Sequence, residues 1–330
     1  MKSAFSQAGL TSVDDNRCIE VPAEDRSLPI NSGLAAALTA NVLWGTSFLA
    51  SKYTLASWGP FTASTLRFLL ASILMFAGMK LFKRKIKVPQ APREWLGVFT
   101  VAVTGFGFLY PLQLGGLKLI TSGMSAAIML TSPLFVIISG RIFLGENLTT
   151  RKLVAIGLGI AGGIILLSGK GALELGISGD FLLGAGLTVI ASVSLALSVI
   201  ATRKLSTSLD SASLTLWSMA VGFLLLLASA QIFERESLLT VVNHGTRSSW
   251  AALLFLSTVC SAFCFFIWNY ALSQASPREI ASTMHVKTPT AVLLGVALAG
   301  ERLSLLLIVG AIIVMAGVWI SQTAPKGKRA

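Results

Sequence analysis

Two side chains that could bind a substrate or carry a proton, His285 and Lys287, stand near the middle of an apolar segment, residues 278–298. If this segment crosses a membrane, a lysine at its centre costs about 2.5–3.5 kcal/mol and has to face protein or water. Histidine titrates near neutral pH and could relay a proton. The alternatives are a neutral His285 bonded to a backbone carbonyl and a Lys287 that extends to the interface.

These two residues belong to different faces of a regular helix. Because successive residues turn by about 100°, His285 and Lys287 point about 200° apart. Thr288 lies on the side of His285, and Thr290 lies on the side of Lys287. Polar groups on opposite faces indicate a helix surrounded by protein or by a cavity, so we take His285, Lys287 and Thr288 as candidate substrate ligands.

Four further polar or aromatic residues are candidates for the same site. Asn41 and Trp44 share a face of the first apolar segment, and Tyr110 and Gln113 lie near the outer end of the third. A site built from Asn41, Trp44, His285 and Lys287 would suit a zwitterion, with Lys287 near its carboxylate and the aromatic rings along its side chain. Packing is the alternative for Trp44, and a place in the interfacial aromatic belt is the alternative for Tyr110.

The composition defines the class of protein that must position these residues. Of the 330 residues, 54% are hydrophobic and only 12% are charged, against about 25% charged in soluble domains. A membrane helix needs about 20 apolar residues, and the continuous apolar runs exclude the alternating strands of a β-barrel. The sequence predicts an all-α polytopic membrane protein with ten spans: 33–52, 60–80, 94–114, 121–143, 151–168, 181–202, 211–233, 249–272, 278–298 and 303–321.

The positive charge indicates orientation in a bilayer and not a nucleic-acid partner. The net charge is +12, but the basic residues concentrate in alternate connections and in the C-terminal tail. By the positive-inside rule, this places both termini in the cytoplasm. We therefore expect a lipid bilayer and a small molecule as partners, no nucleic acid, and a monomer. The residues concerned are Lys80, Lys83, Arg84, Lys85, Lys87, Arg93, Arg141, Arg151, Lys152, Arg203, Lys204, Arg278, Lys326, Lys328 and Arg329.

The chain contains an internal repeat of five spans. Gly145–Glu146 recurs 155 residues later as Gly300–Glu301, and each pair follows a segment with a mid-span proline, Pro133 or Pro289. Because five is odd, the second copy is inverted relative to the first, and inverted repeats in transporters enclose a site at the bilayer midplane. The predicted divisions are a disordered cytoplasmic tail, 1–30, the two repeats, 31–170 and 178–322, and a basic cytoplasmic tail, 323–330.

The repeat also shows where the two halves differ. Lys52 in span one corresponds to Arg203 in span six. The positions equivalent to His285 and Lys287 in span four are Met129 and Thr131, which carry no charge. Substrate or ion chemistry is therefore expected in the second half, in span nine.

Prolines and glycines indicate hinge and packing positions. Pro133 and Pro289 each free a backbone carbonyl in mid-membrane, where a helix can bend or present polar backbone to a cavity. Gly159 and Gly163 form a small-xxx-small pair in span five that permits close helix approach.

Three other charged residues fit structural roles. Arg67 in span two could reach the interface or cap carbonyls of a neighbouring helix. Glu146 and Glu301 stand beside the starts of spans five and ten, where a helix dipole favours a carboxylate. No metal site or cofactor is expected, since Cys260 and Cys264 have no histidine or carboxylate near them in span eight. The sequence contains no pair of carboxylates within the spans that would indicate a membrane-embedded enzyme.

Several stretches are similar to one transporter family. The runs NVLWGTSF at 41–48, RFLLA at 67–71 and WNYAL at 268–272, with both Gly-Glu-x-Leu elements, resemble the EamA family of the drug/metabolite transporter superfamily. The resemblance covers residues 33–321. It implies a proton-motive or exchange-driven carrier of amino acids or other small metabolites, often an exporter.

We therefore predict a secondary active transporter of the cell inner membrane that exports small metabolites, amino acids first among them, by alternating access. The alternatives are a carrier of anionic nucleotide conjugates or phosphates and a broad-specificity drug exporter. A carrier of anions is expected to show more than one cation facing its cavity.

Overall fold

The computed structural model describes residues 32–168, 179–205, 209–235, 241, 243–275, 279–280, 283–301 and 304–322. Every regular element in these ranges is a helix. Nine of the helices described are long and apolar enough to cross a membrane, and Met284–Ala299 is a shorter apolar one. The predicted all-α polytopic fold is confirmed. Both predicted tails, 1–30 and 323–330, lie outside the described residues, so the predicted domain boundaries stay predictions.

The helices coincide with the predicted spans to within a few residues. Spans three, four, eight and nine are each interrupted, and the others are continuous. In order along the chain, the spans are Ser32–Leu55; Pro60–Leu81; Pro92–Ala102 with Leu109–Leu119; Ser122–Met129 with Ser132–Leu144; Thr150–Leu167; Gly179–Leu205; Ser211–Phe233; Arg247–Ser257 with Cys264–Gln274; Met284–Val286 with Lys287–Ala299; and Leu305–Gln322.

The repeated Gly-Glu pair is a helix stop. Gly145 and Gly300 have positive φ values of 68° and 63°, a left-handed conformation that glycine adopts without a steric penalty. The next backbone N–H then turns back to the helix: Glu146 N donates to Gly140 O at 3.2 Å, and Glu301 N donates to Gly295 O at 3.0 Å. Each pair therefore ends a span and fixes where its glutamate points.

Both proline-containing spans are broken just ahead of the proline. In span four, one helix ends at Met129 and the next begins at Ser132, with Pro133 in its first turn. In span nine, a short 3₁₀ turn precedes the helix that begins at Lys287, with Pro289 in its first turn. Proline fits a first turn because its missing N–H would have no partner there. A hinge at these breaks stays a prediction.

Spans three and eight each contain a π-helical turn, Val103–Phe108 and Thr258–Phe263. These turns lie 155 residues apart, which is the offset of the Gly-Glu pairs. In each, a backbone carbonyl accepts a hydrogen bond from the other repeat: Trp44 Nε1 donates to Cys260 O at 2.9 Å, and Ser194 Oγ donates to Thr104 O at 2.7 Å. Such π-turns are frequent at functional sites.

Spans five and ten cross at small residues. A side chain at Gly162 would meet Gly310 O and Val314, and one at Gly317 would meet Ala155 O. Ala155 and Gly162 correspond to Gly310 and Gly317 by the 155-residue offset, so these two contacts are copies of each other. They are the packing expected about a two-fold axis between the repeats.

Gly159 and Gly163 were predicted to permit close helix approach together, but only Gly159 lies at a close contact. Gly159 is covered by Leu134 of span four and leaves no space for a side chain, whereas a methyl group added at Gly163 would have nothing within 4 Å. The physical reason is the twist of the helix, which turns Gly162 and not Gly163 towards span ten.

A glycine substitution tests the crossing. Gly310→Leu should lower the free energy of unfolding by about 1–3 kcal/mol, because overpacking displaces neighbouring atoms, here Gly162 O and Leu166 N at 2.8 Å. The measurement is the melting temperature of the purified protein in detergent. Gly163→Leu is the matched control and should change it little. Equal effects of the two substitutions would contradict the assigned interface.

Glu146 and Glu301 form two ion-pair clusters at opposite ends of the bundle. Lys52 Nζ lies 2.8 Å from Glu301 Oε1. At the other end, Glu146 contacts Lys152 Nζ at 3.0 Å and Arg203 Nη1 at 3.6 Å. Lys52 and Arg203 correspond in the repeat, so each glutamate pairs with the cation that ends a span of the other repeat.

Glu301 also has a role at another span. It caps the start of span four, since Ser122 N and Gly123 N donate to its carboxylate at 2.8 and 3.1 Å. Burial alone would raise the pKa of Glu301, but the hydrogen bonds from Lys52, Ser122 and Gly123 outweigh it and lower the pKa. The carboxylate is therefore charged at neutral pH and joins three spans.

Candidate substrate site

A buried arginine stands in the middle of the helical bundle. Arg67 of span two is 4% exposed, and its Nε donates to Ser261 Oγ at 2.9 Å. Its guanidinium carbon lies 4.8 Å from the centre of the Tyr110 ring and 5.5 Å from that of Phe68. Nη1 and Nη2 form no hydrogen bond with any residue in the described ranges. Among the described residues, the groups that contact this cation are neutral.

The π-helical turn of span eight positions the partner of Arg67. Ser261 lies within it, directly after Cys260, whose carbonyl accepts the indole N–H of Trp44. Trp44 also packs edge-on against Phe265, with ring centres 5.7 Å apart. The π-helical turn thus contacts span one through the Cys260 carbonyl and span two through the Ser261 hydroxyl.

Aromatic rings connect this arginine with the first span. Phe265 lies 6.1 Å from Phe106, Phe106 lies 5.0 Å from Phe68, and Phe68 lies 4.5 Å from Tyr110. Tyr110 in turn packs against the hydrophobic core that contains Phe48. We call these residues the aromatic cluster: Trp44, Phe48, Phe68, Phe106, Tyr110 and Phe265.

Lys287 reaches the same aromatic cluster from span nine. Its Nζ lies 5.5 Å from the centre of the Phe48 ring. Within the described ranges, Lys287 has no carboxylate partner. The sequence explains this, because Asp and Glu occur only at or beyond the ends of the spans. Two cations therefore face the aromatic cluster without a protein counter-charge inside the bundle.

Five of the seven predicted site residues divide into two groups. Trp44, Tyr110 and Lys287 belong to or contact the aromatic cluster. Asn41 and Thr288 instead tie spans together: Asn41 Nδ2 donates to Ala37 O and to Thr283 Oγ1, both at 2.9 Å, and Thr288 Oγ1 donates to Ala126 O at 3.2 Å. The donors of these two side chains are already occupied by protein.

His285 lies apart from the aromatic cluster. Its ring interacts with the side chain of Gln322 at the end of span ten, and Nε2 is buried without a partner among the described residues. His285 and Lys287 thus face different neighbours, as their spacing predicts. Gln113 lies about one turn beyond Tyr110 and is half-buried.

Arg67, which the sequence analysis placed among the structural residues, also contacts the aromatic cluster. It lies seven residues into span two, which at 1.5 Å per residue is about 10 Å from the helix start. That depth makes the interface hard to reach and is the signal that the sequence contained. Ser261 gave no such signal, since its role depends on a contact across 194 residues of sequence.

Comparison with known proteins shows which family has this sequence pattern. The profile of the EamA-like transporter family matches residues 31–168 and 182–323, which is most of the chain. The chain belongs to the EamA-like transporter family. The predicted resemblance is confirmed, and with it the drug/metabolite transporter superfamily and a multi-pass membrane location. Amino-acid export stays a prediction.

Two curated relatives are named as transporters, and a solved structure shares the fold. An uncharacterized transporter of Archaeoglobus fulgidus is 30% identical over 87% of this chain and 96% of its own length. The uncharacterized inner membrane transporter YedA of Escherichia coli strain K12 is 29% identical over 80% of this chain and 81% of its own. A crystal structure with 18% sequence identity matches 88% of this chain and 96% of its own with a TM-score of 0.64, which supports the fold.

Proposed function

We propose that this EamA transporter is a secondary active carrier, and not an enzyme, that exports small metabolites across the cytoplasmic membrane by alternating access. The observation that carries the proposal is the pair of cations beside the aromatic cluster, Arg67, which is buried, and Lys287, which is partly buried. Intramembrane ionisable residues mark substrate pathways, and inverted repeats allow two packings around one site. The breaks in spans four and nine and the π-turns of spans three and eight supply the irregular backbone beside that site.

Amino acids are the first substrate class that we propose. In this assignment Lys287 binds the substrate carboxylate, while Trp44, Phe48 and Tyr110 contact its side chain. The distribution of basic residues supports cytoplasmic termini. A monomer is sufficient, because both repeats lie in one chain.

Anionic phosphates or nucleotide conjugates are the second candidate. The observation that favours them is Arg67, which supplies the second cation expected of an anion carrier. Arginine forms two-point contacts with carboxylate and with phosphate, so both substrate classes suit it. Cationic drugs are disfavoured, because both cations would repel them.

Counterflow in proteoliposomes tests the transport function. Vesicles containing the purified protein are loaded with unlabelled compound, and entry of labelled compound is followed over a panel of amino acids, nucleosides and sugar phosphates. We expect transient accumulation that saturates with concentration for at least one compound, because a carrier exchanges one substrate for another. Non-saturating flux without counterflow would identify a channel, and no flux across the panel would contradict the proposal.

A further inference from the structure

The charge balance of the site selects among possible substrates. Arg67 and Lys287 approach one aromatic cluster, and neither has a carboxylate partner in the described ranges. The full sequence places Asp and Glu only at or beyond the ends of the spans. Within the described ranges, Arg67 and Lys287 therefore have no carboxylate beside them in the middle of the bundle.

Unpaired cations in a protein interior are costly, and an opposite charge relieves the cost. Aromatic faces stabilise a cation only partly. Arg67 is also preset for an anion, because Ser261 holds Nε while Nη1 and Nη2 have no hydrogen bond to any described residue. A planar fork of this kind matches a carboxylate or a phosphate.

The same balance opposes a substrate ammonium group. A zwitterion would bring its ammonium next to two protein cations, and inside the spans it would find rings and backbone carbonyls but no carboxylate. An ammonium in a low-dielectric site needs a compensating charge. The site therefore distinguishes compounds of one carbon skeleton by their net charge.

We infer that this EamA transporter moves its substrate as a net anion, with Arg67 and Lys287 together binding the negative groups and the aromatic cluster contacting the apolar part. The inference rests on the proposed transport function and names its substrate class. Among amino acids it selects dicarboxylic ones and those with a blocked amino group. Free carboxylates and phosphate esters are the two chemical sources of the anion.

Charge-matched compounds test the inference. Counterflow is measured for the N-acetyl acid, the free amino acid and the amino-acid amide of alanine, phenylalanine and glutamate, with glucose 6-phosphate as the phosphate ester. We expect half-saturation of the acetylated acids, or of the phosphate ester, at concentrations at least about tenfold below those of the neutral zwitterions alanine and phenylalanine. Amides of alanine and phenylalanine should give no counterflow.

The possible failures separate the two proposals. Saturable counterflow of the zwitterions or of the amides in preference to the anions would overturn the net-anion inference and leave the transport function standing. Absence of counterflow for every compound would count against the transport function itself. Preference for glucose 6-phosphate over the acetylated acids would assign the anion to a phosphate ester.

Variants of Arg67 connect the charge preference with the structure. Arg67→Gln should raise the half-saturation concentration for the preferred anion about tenfold or more and reduce the preference for anions, while Arg67→Lys keeps the order of preference. Lys118→Gln, at an exposed lysine of span three, should leave both unchanged. If Arg67→Gln melts at the wild-type temperature and keeps the full preference, Arg67 is not an anion ligand. If it does not fold, the result for Arg67→Lys decides: the half-saturation concentration for the anion should rise, because lysine lacks the planar fork, and an unchanged value in that folded variant would show that the fork of Arg67 does not bind the anion.

Discussion

Replacing Lys287 by alanine should reduce transport about 100-fold while the protein still reaches the membrane. Lys287 is one of the two cations that face the aromatic cluster, and the loss of a charged hydrogen-bonding partner costs about 1.5–3 kcal/mol or more. Since each 1.4 kcal/mol is tenfold, the transport rate at low substrate should fall about 100-fold. Insertion should not suffer, because alanine is easier to place in a bilayer than lysine.

The measurement is the initial rate of counterflow at equal amounts of reconstituted protein. Lys287→Met preserves side-chain length without charge and should lose transport as the alanine variant does, which separates charge from packing. Lys118→Ala removes an exposed lysine from span three and should retain the wild-type rate. An unchanged rate in Lys287→Ala would remove this residue from the substrate site.

Replacing Glu301 by alanine should have the largest effect on stability. Its side chain is 9% exposed and pairs with Lys52, which is 32% exposed, while Ser122 N and Gly123 N also donate to it. Breaking a buried pair costs about 3–5 kcal/mol, but Lys52 can turn to water, so we expect a loss of about 2–3 kcal/mol. Glu146→Ala, at a side chain that is 36% exposed, is the repeat-related control and should cost less than about 1 kcal/mol. Equal melting temperatures of the two variants would contradict this difference.

The same carboxylate gives a pH dependence with a definite sign. The folded pKa of Glu301 lies below its ordinary value of 4.5, so its ionised form favours the folded state. This contribution is fully present above about pH 4.5 and is lost as the pH falls through the folded pKa. The melting temperature of wild type should therefore fall more steeply below pH 4.5 than that of Glu301→Gln. Parallel curves for the two proteins would show that the carboxylate does not stabilise the fold.

The sequence predicted the fold well because its signals are local. Apolar segments of membrane length fix the spans, and glycine before glutamate fixes two helix ends by its positive φ. The predicted lysine in span nine also lies at the candidate site. Each of these depends on residues close together in the chain.

The contacts that assemble the site were not predictable in this way. Arg67 meets Ser261 across 194 residues of sequence, and Glu301 reaches the start of span four across 179. The face of span five that meets span ten depends on the rotation of both helices. For this reason Gly162, and not the predicted Gly163, lies at the contact. These features follow from how the two repeats pack, which local patterns do not specify.

The crossing of spans five and ten has a consequence for how the two repeats can exchange arrangements. Its two contacts are Gly162 with Gly310 and Gly317 with Ala155. If each repeat took the conformation of the other, each of these contacts would take the place of the other. The same pairs of residue positions therefore meet in either arrangement, and their contribution nearly cancels from the free-energy difference between the two. In the proposed alternating-access cycle, the crossing would therefore act as a pivot. Differences between inward-facing and outward-facing populations would then come from the parts that break the symmetry, above all Arg67 and Lys287.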